Sequence, residues 1–288
     1  MSKFIRNAPL TFVIATNSRE TLEVNFLASP GVREPHPHQI LLQEGFPSAA
    51  TAYNDAIDRS ANDMLVFVHQ DVYLPESWLA DLEDVIRQLE MDDPNWGVLG
   101  CYGQTKSNEG RGYLYDSGLG LIGKPFGNPA PVQTLDEIVL ILRRSSGLRF
   151  DASIPHFHMY GADICLQAAE RGMTSYAISA FCIHNTHRHV ALPNEFYDCY
   201  RHIRRKWAGA LPVYTPCIKV TRFNVDVRYM RLRAMYHRHV RRMKPSGPRV
   251  SDTGMLLKQV DAALKQASIT EGDRVRSRAT ARDSELAR

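Results

Sequence analysis

Apolar and polar positions fall into blocks with two different periods. Residues 64–68, MLVFV, are a continuous apolar run that stops abruptly at His69, Gln70 and Asp71. A short run of this kind, rich in β-branched and aromatic residues, reads as a strand buried on both faces. LTFVIA (10–15), the run at 39–42 and WGVLGC (96–101) read as further strands. Between them the period becomes helical. A helix is predicted over roughly 48–60, and another over 76–90, where Trp78, Leu79, Leu82, Val85, Ile86 and Leu89 share one face. Strand, helix, strand, helix, strand implies parallel pairing through right-handed crossovers.

Beyond residue 101 the texture changes. Residues 102–130 are rich in Gly, Pro, Asn and Ser, as expected of loops or short hairpins that shape a pocket. A strand is predicted over 132–142, a helix over 162–171 capped by Gly172, a strand over 176–183 and a helix over 195–207. Residues 226–243 read as a basic amphipathic helix with Tyr229, Leu232, Tyr236, Val240 and Met243 on one face. A short helix within 251–268 and a disordered polar tail complete the chain. The division expected is 1–220, 221–250 and 251–288. No internal repeat is present.

The 288 residues suffice for one large α/β domain with appendages, or two small ones, and 44% hydrophobic with 23% charged residues is ordinary for a globular protein. No apolar run approaches the ~18 residues of a membrane span, and the N-terminus lacks the features of a secretory signal. Five cysteines without a CxxC pair point away from a disulfide framework or zinc ribbon and toward a reducing cytoplasm. Net charge is +4 but uneven. Residues 1–200 hold 14 basic and 24 acidic side chains, a net −10, whereas 201–249 hold 14 basic and one acidic, a net +13.

Ligands of open α/β sheets sit beyond the carboxyl ends of the strands. Asp71 ends one strand, His184 ends another, and Asp163 opens a helix. Asp71 is a ligand-site carboxylate or a turn-opening residue ahead of Pro75. Asp163 is a general base or a helix cap, and His184 a metal ligand or a hydrogen-bonded strand end, with His187 and His189 close behind. Gathered at one cleft, a carboxylate and an imidazole suit Mn2+ or Mg2+ bridging a diphosphate. A second carboxylate would deprotonate an attacking hydroxyl.

The series SAATAYNDAIDRSANDMLVFVHQDVYLPESWLADLEDVI, WGVLGCYGQ, FHMYGADICLQAAERG and CIHNTH resembles the family 2-like glycosyltransferases of GT-A fold, specifically the bacterial subgroup with an HQD-type motif. The likeness runs over roughly 10–190, with KWAGALP a weaker echo. No glycine-rich turn follows the first strand, so neither a P-loop nor a Rossmann fingerprint competes. The resemblance implies a nucleotide-diphosphate sugar donor, Mn2+ or Mg2+, and a glycan or lipid-linked acceptor in bacterial glycan synthesis. Thr16, Asn17 and Glu44 would lie near the nucleoside. Tyr53, Asn54 and Gln70 would line the donor pocket. Asp71 and His184 would hold the metal, and Asp163 would be the base of an inverting transfer. Two departures stand out. The acidic metal motif is reduced to His69-Gln70-Asp71, and Gly161 occupies a position where many relatives carry an acid.

Other features have plainer readings. His36 and His38, around Pro37, form a metal site or a surface loop. Cys165, Cys182 and Trp78 read as core, and Trp207 as packing or a sugar platform. The basic stretch 201–249 would meet an anionic membrane, dock on the acidic body, or bind nucleic acid. The last is disfavoured, because no nucleic-acid-binding motif accompanies it. Two alternatives remain to glycosyl transfer: a catalytically inactive GT-A domain that binds nucleotide sugar or a partner, and a nucleic-acid-binding protein. The setting expected is cytoplasmic, with peripheral attachment at the inner membrane face.

Overall fold

The computed structural model describes residues 8–33, 35–186, 192–239 and 249–268. His187 and His189, Val240 and Met243, and the tail from 269 onward lie outside them. In chain order the elements are β1 (Thr11–Ala15), α1 (Arg19–Val24), β2 (Gln39–Gln43), α2 (Ala49–Arg59), β3 (Met64–Val68), β4 (Val72–Tyr73) and α3 (Trp78–Asp92). There follow β5 (Val98–Gly100), β6 (Tyr102–Gln104), β7 (Gly110–Asp116), β8 (Gly120–Gly123), β9 (Ala130–Val132), β10 (Thr134–Leu135), β11 (Val139–Arg143) and α4 (Tyr160–Glu170). The chain continues with β12 (Ser175–Ala177), β13 (Cys182–His184), α5 (Asn194–Lys206), β14 (Val213–Tyr214), β15 (Lys219–Val220), α6 (Val225–His239) and a helix α7 over 253–268.

The architecture is mixed α/β, a central sheet flanked by helices, with strand order β2-β1-β3-β11-β5-β12-β9. β1, β2 and β3 are parallel, as the strand–helix–strand order requires. β3 is buried throughout. Its Val66 and Val68 face the cluster that α3 covers with Trp78, Leu82, Ile86 and Leu89. Its Leu65 and Phe67 face the other cluster, covered by α2 and α4. Each such side chain contributes roughly 1.5–3 kcal/mol by leaving water, so the uninterrupted apolar run is what a two-sided strand demands.

Two expected strands divide. The 132–142 strand is three pieces, because Asp136 and Glu137 turn the chain between sheets. β10 pairs with β6 in a second sheet, of order β10-β6-β7-β13-β4. β11 then enters the central sheet antiparallel between β3 and β5, with Val139 opposite Val68. No crossover helix precedes β11, so it enters at the carboxyl end of β3, and the Asp136–Glu137 turn lies beside His69, whose N–H reaches Ile138 O at 3.1 Å. The 176–183 strand likewise splits into β12 in the central sheet and β13 in the second.

A third cluster packs α5 against Met159 and Leu166. Val227 and Met230 of α6 join it, while the face expected to be apolar, Tyr229, Leu232 and Tyr236, is 49–66% exposed. Among the described residues no helix is long and apolar enough to cross a membrane.

Candidate functional site

β13 delivers His184 between two acids. Its register sets His184 opposite Asp116 of β7 on one side and opposite Val72, the neighbour of Asp71, on the other. His184 Nδ1 lies 2.9 Å from Asp116 Oδ2, and Nε2 lies 3.4 Å from Asp71 Oδ1. His69, two residues before Asp71, completes the group: one ligand atom from each of His69, Asp71 and His184 lies within 4.8 Å of the others. Two imidazoles and a carboxylate suit a divalent transition ion such as Mn2+. Asp116 on the far nitrogen of His184 is placed as the outer partner that would orient the imidazole if it held a cation. The residues present therefore fit a divalent cation.

The site is electrostatically tight. Burial opposes ionisation of Asp71, yet His184, His69 and Arg249 outweigh it and hold the carboxyl well below its usual range. Burial would lower His184, but Asp71 and Asp116 push it up to about 10. Burial, aided by the charge of His184, lowers His69 despite Asp71. The second oxygen of Asp71 accepts from Arg249 Nη2 at 2.7 Å.

Thr16, Asn17 and Gln70 come together at the rim. Gln70 Oε1 accepts from Thr16 Oγ1 (2.7 Å) and from the N–H groups of Asn17 and Ser18 (both 3.1 Å), while its Nε2 donates to Asn17 Oδ1. This ties the loop after β1 to the loop carrying Asp71. Glu44 is exposed just beyond β2, where Gln43 O receives the N–H of Thr16. Tyr53 and Asn54 do not line a cleft. Tyr53 is 2% exposed, packed on Phe67 and Phe150, because α2 turns it into the core. Its hydroxyl approaches that of Tyr160, which in turn lies 3.1 Å from His69 Nε2. Asn54 spends its amide on both backbone groups of Phe150, fastening that loop.

Asp163 is not part of this group. It is 1% exposed and accepts from Trp207 Nε1 (2.7 Å), Gln167 Nε2 (2.6 Å) and Lys206 Nζ (2.8 Å). With both oxygens engaged in the interior it anchors α5 to α4, and the role of base expected for it lacks an accessible lone pair. Trp207 is accordingly packing, 6% exposed. A different carboxyl occupies the neighbourhood of Gly161: Glu137 Oε1 accepts the Gly161 N–H at 3.2 Å. Burial, with the charge of Asp136, raises Glu137 to about 8. Cys165 and Cys182 are core. His36 and His38 sit at the opposite end of the sheet, on a cavity of about 330 Å³ with Leu10, Pro30 and Leu82.

His69, Asp116, Glu137 and Arg249 were not singled out from sequence as site residues. His69 was within reach, since alternate residues share a side. The others depend on sheet order.

No family model matches the chain. A protein of Fuscovulum blasticum described as "ATP synthase subunits region ORF 6" is 30% identical over 167 residues, 56% of this chain and 66% of that protein, just under two thirds of its length. Solved structures similar to the chain include glycosyltransferases. GalNAc-T7 with UDP, GalNAc and Mn2+ is 9% identical, covering 61% of this chain and 43% of that one, at TM-score 0.44. S. aureus TarS 1-349 is 14% identical, covering 69% and 65%, at 0.44. The mannosyltransferase PcManGT from Pyrobaculum calidifontis, in complex with GDP-Man and Mn2+, is 13% identical, covering 90% and 75%, at 0.43.

Proposed function

We propose that the chain is a metal-dependent glycosyltransferase of GT-A architecture acting on a nucleoside-diphosphate sugar. The observation that carries this reading is the His69–Asp71–His184 cluster at the carboxyl end of β3, where α/β sheets take their ligands. His69, Asp71 and His184 would hold a divalent ion, which would supply positive charge to the diphosphate leaving group. The Thr16–Asn17 loop, locked to Gln70, and Glu44 form the adjoining edge for the nucleoside. The base is Glu137 rather than Asp163. Glu137 lines a small pocket of about 10 Å³ with Asp136, Ala162, Phe196 and Cys217, and a carboxyl raised to about 8 is matched to accepting a hydroxyl proton near neutrality. The acceptor oxygen bonds to the anomeric carbon as its proton passes to Glu137. The old anomeric C–O pair leaves with the nucleoside diphosphate, and a single displacement inverts the centre.

The acceptor is a glycan, or a lipid-linked glycan met at an anionic membrane surface. Supporting the second form, α6 exposes Val225, Tyr229, Leu232 and Met235 alongside Arg228, Arg231 and Arg233, apolar and cationic side chains that an anionic lipid surface attracts. Incubation with UDP-, GDP-, CDP- and dTDP-sugars in Mn2+ tests the central reading. One donor is expected to release its nucleoside diphosphate, and Asp71→Ala to abolish release. Binding of a nucleoside diphosphate without turnover of any donor would leave an inactive GT-A domain.

A further inference from the structure

Arg249 reaches Asp71 from 178 positions away. Its side chain is only 27% exposed, and all three guanidinium nitrogens are engaged. Nη2 donates to Asp71 Oδ2 at 2.7 Å, Nε to Asn185 O at 3.2 Å and Nη1 to Thr21 Oγ1 at 3.5 Å. The residues that follow are anchored independently. Val250 exchanges two hydrogen bonds with the Asn185 side chain, at 2.7 and 3.0 Å. Thr253 Oγ1 donates to Val24 O. Leu256 (0% exposed) and Val260 (3%) of α7 pack on Tyr73, Tyr115 and Ile183. The segment is thus fixed beside Asp71 by contacts that do not depend on Arg249.

We infer that Arg249 is a phosphate-binding residue of this site, carried to it by the strap 249–268. The inference rests on the nucleoside-diphosphate reading above. The bonds to Asp71, Asn185 and Thr21 use one N–H on each nitrogen, so the second N–H of Nη1 and of Nη2, with a permanent positive charge, remains for phosphate oxygens beside Asp71. The guanidinium also shares Asp71 with any divalent ion, since it sits on Oδ2 while His184 faces Oδ1. Positive charge at the site then has two sources, one fixed in the chain and one exchangeable. Removing the fixed one has two effects of opposite sign. Diphosphate binding weakens, because a donor and a charge are lost. Binding of the bare ion tightens, because Asp71 is freed of its competitor. A guanidinium that only neutralised Asp71 would produce the second effect without the first, so the loss of diphosphate affinity is what identifies a phosphate-binding residue.

The test titrates wild type, Arg249→Lys and Arg249→Ala, first with Mn2+ alone, read from the spin resonance of the free ion. UDP, GDP, CDP and dTDP follow by calorimetry, each in Mn2+ and in EDTA. The nucleotide that wild type binds is expected to lose about 10- to 100-fold affinity in Arg249→Ala, and less in Arg249→Lys, while Mn2+ alone binds Arg249→Ala more tightly. Arg249→Lys keeps a cation and every anchor of α7, so weakened binding at an unchanged melting temperature is a binding effect rather than misfolding. Nucleotide affinity unchanged or improved in Arg249→Ala overturns the inference and makes the strap a plug. If wild type binds none of the four nucleotides in either condition, the nucleoside-diphosphate reading itself falls, and this inference with it.

Discussion

The carboxyl of Glu137 and the backbone of Gly161 occupy one another's space. Glu137 Oε1 accepts the Gly161 N–H at 3.2 Å, and a Cβ at 161 would stand 3.0 Å from Glu137 Cγ and 2.9 Å from Leu135 O. A side chain at 161, such as the acid of the resembled family, would therefore crowd the Leu135 carbonyl and press on the Glu137 side chain. Gly161→Asp is expected to destabilise the fold by about 1–3 kcal/mol through overpacking, measured by denaturant unfolding. Adding Glu137→Ala should recover part of the loss, since the side-chain clash goes and the Leu135 carbonyl remains. Strict additivity of the two substitutions would show that the residues do not interact.

Glu137 also sets a pH dependence. Its folded pKa, about 8, lies above the ordinary 4.5, because burial disfavours the anion. The folded state keeps a proton that the unfolded chain releases, so stability falls as pH rises from about 4.5 to about 8 and is level beyond. Glu137→Gln keeps the acceptor for Gly161 and loses the titration. The variant should flatten the stability profile in that window and be more stable than wild type above it. As a base Glu137 must be ionised, so transfer in wild type should rise with pH to a plateau above about 8. The same substitution should abolish transfer while nucleotide binding persists.

Asp116 accepts from two backbone N–H groups, of Gly118 and Leu119, through Oδ1, and meets His184 Nδ1 through Oδ2. Asp116→Asn preserves the turn and removes the anion behind the imidazole. Outer partners of this kind are worth about 10- to 100-fold in metal affinity. A Mn2+ titration should show a loss of that size with little change in melting temperature. Undiminished affinity would mean that His184 is held by Asp116 for structure alone.

Much of this was legible along the chain, and the exceptions share a cause. Residues 64–68 could be read as a two-sided strand because every side chain in the run is apolar. Asp71 and His184 could be read as strand ends because the polarity changes there. What the chain could not declare was that β13 lies between β7 and β4, which alone brings Asp116 and Asp71 to opposite nitrogens of His184. The strap is harder still, since nothing local to Arg249 distinguishes it from the arginines before it. Asp163 illustrates the converse. Its place at the start of α4 was visible, but Lys206 and Trp207, which take up its charge, lie on another helix and its end.

Asp163→Asn therefore tests structure. Asn keeps one oxygen acceptor, and Lys206, 28% exposed, keeps Asp151 at 2.7 Å, so the loss is that of charge-assisted hydrogen bonds, about 1.5–3 kcal/mol. A lowered melting temperature is expected, with transfer per folded molecule nearly unchanged. Abolished turnover at wild-type stability would restore Asp163 as the base.

The exposed face of α6 separates packing from docking. Val227 and Met230 hold the helix to the α5 cluster, whereas Leu232 and Met235 are 66% and 58% exposed. Replacing either exposed residue with Asp removes no buried contact, so stability should stay within about 0.5 kcal/mol of wild type. At a lipid surface the same change inserts a charge among Tyr229, Val225 and the remaining apolar neighbours, and opposes the attraction that the arginines feel for anionic headgroups. Wild type is expected to co-sediment with vesicles containing phosphatidylglycerol, less with phosphatidylcholine alone, and progressively less as salt is raised. Leu232→Asp with Met235→Asp should abolish the salt-resistant part. If wild type ignores both vesicle types, the face serves something other than a bilayer, and an acceptor presented at the membrane loses its support.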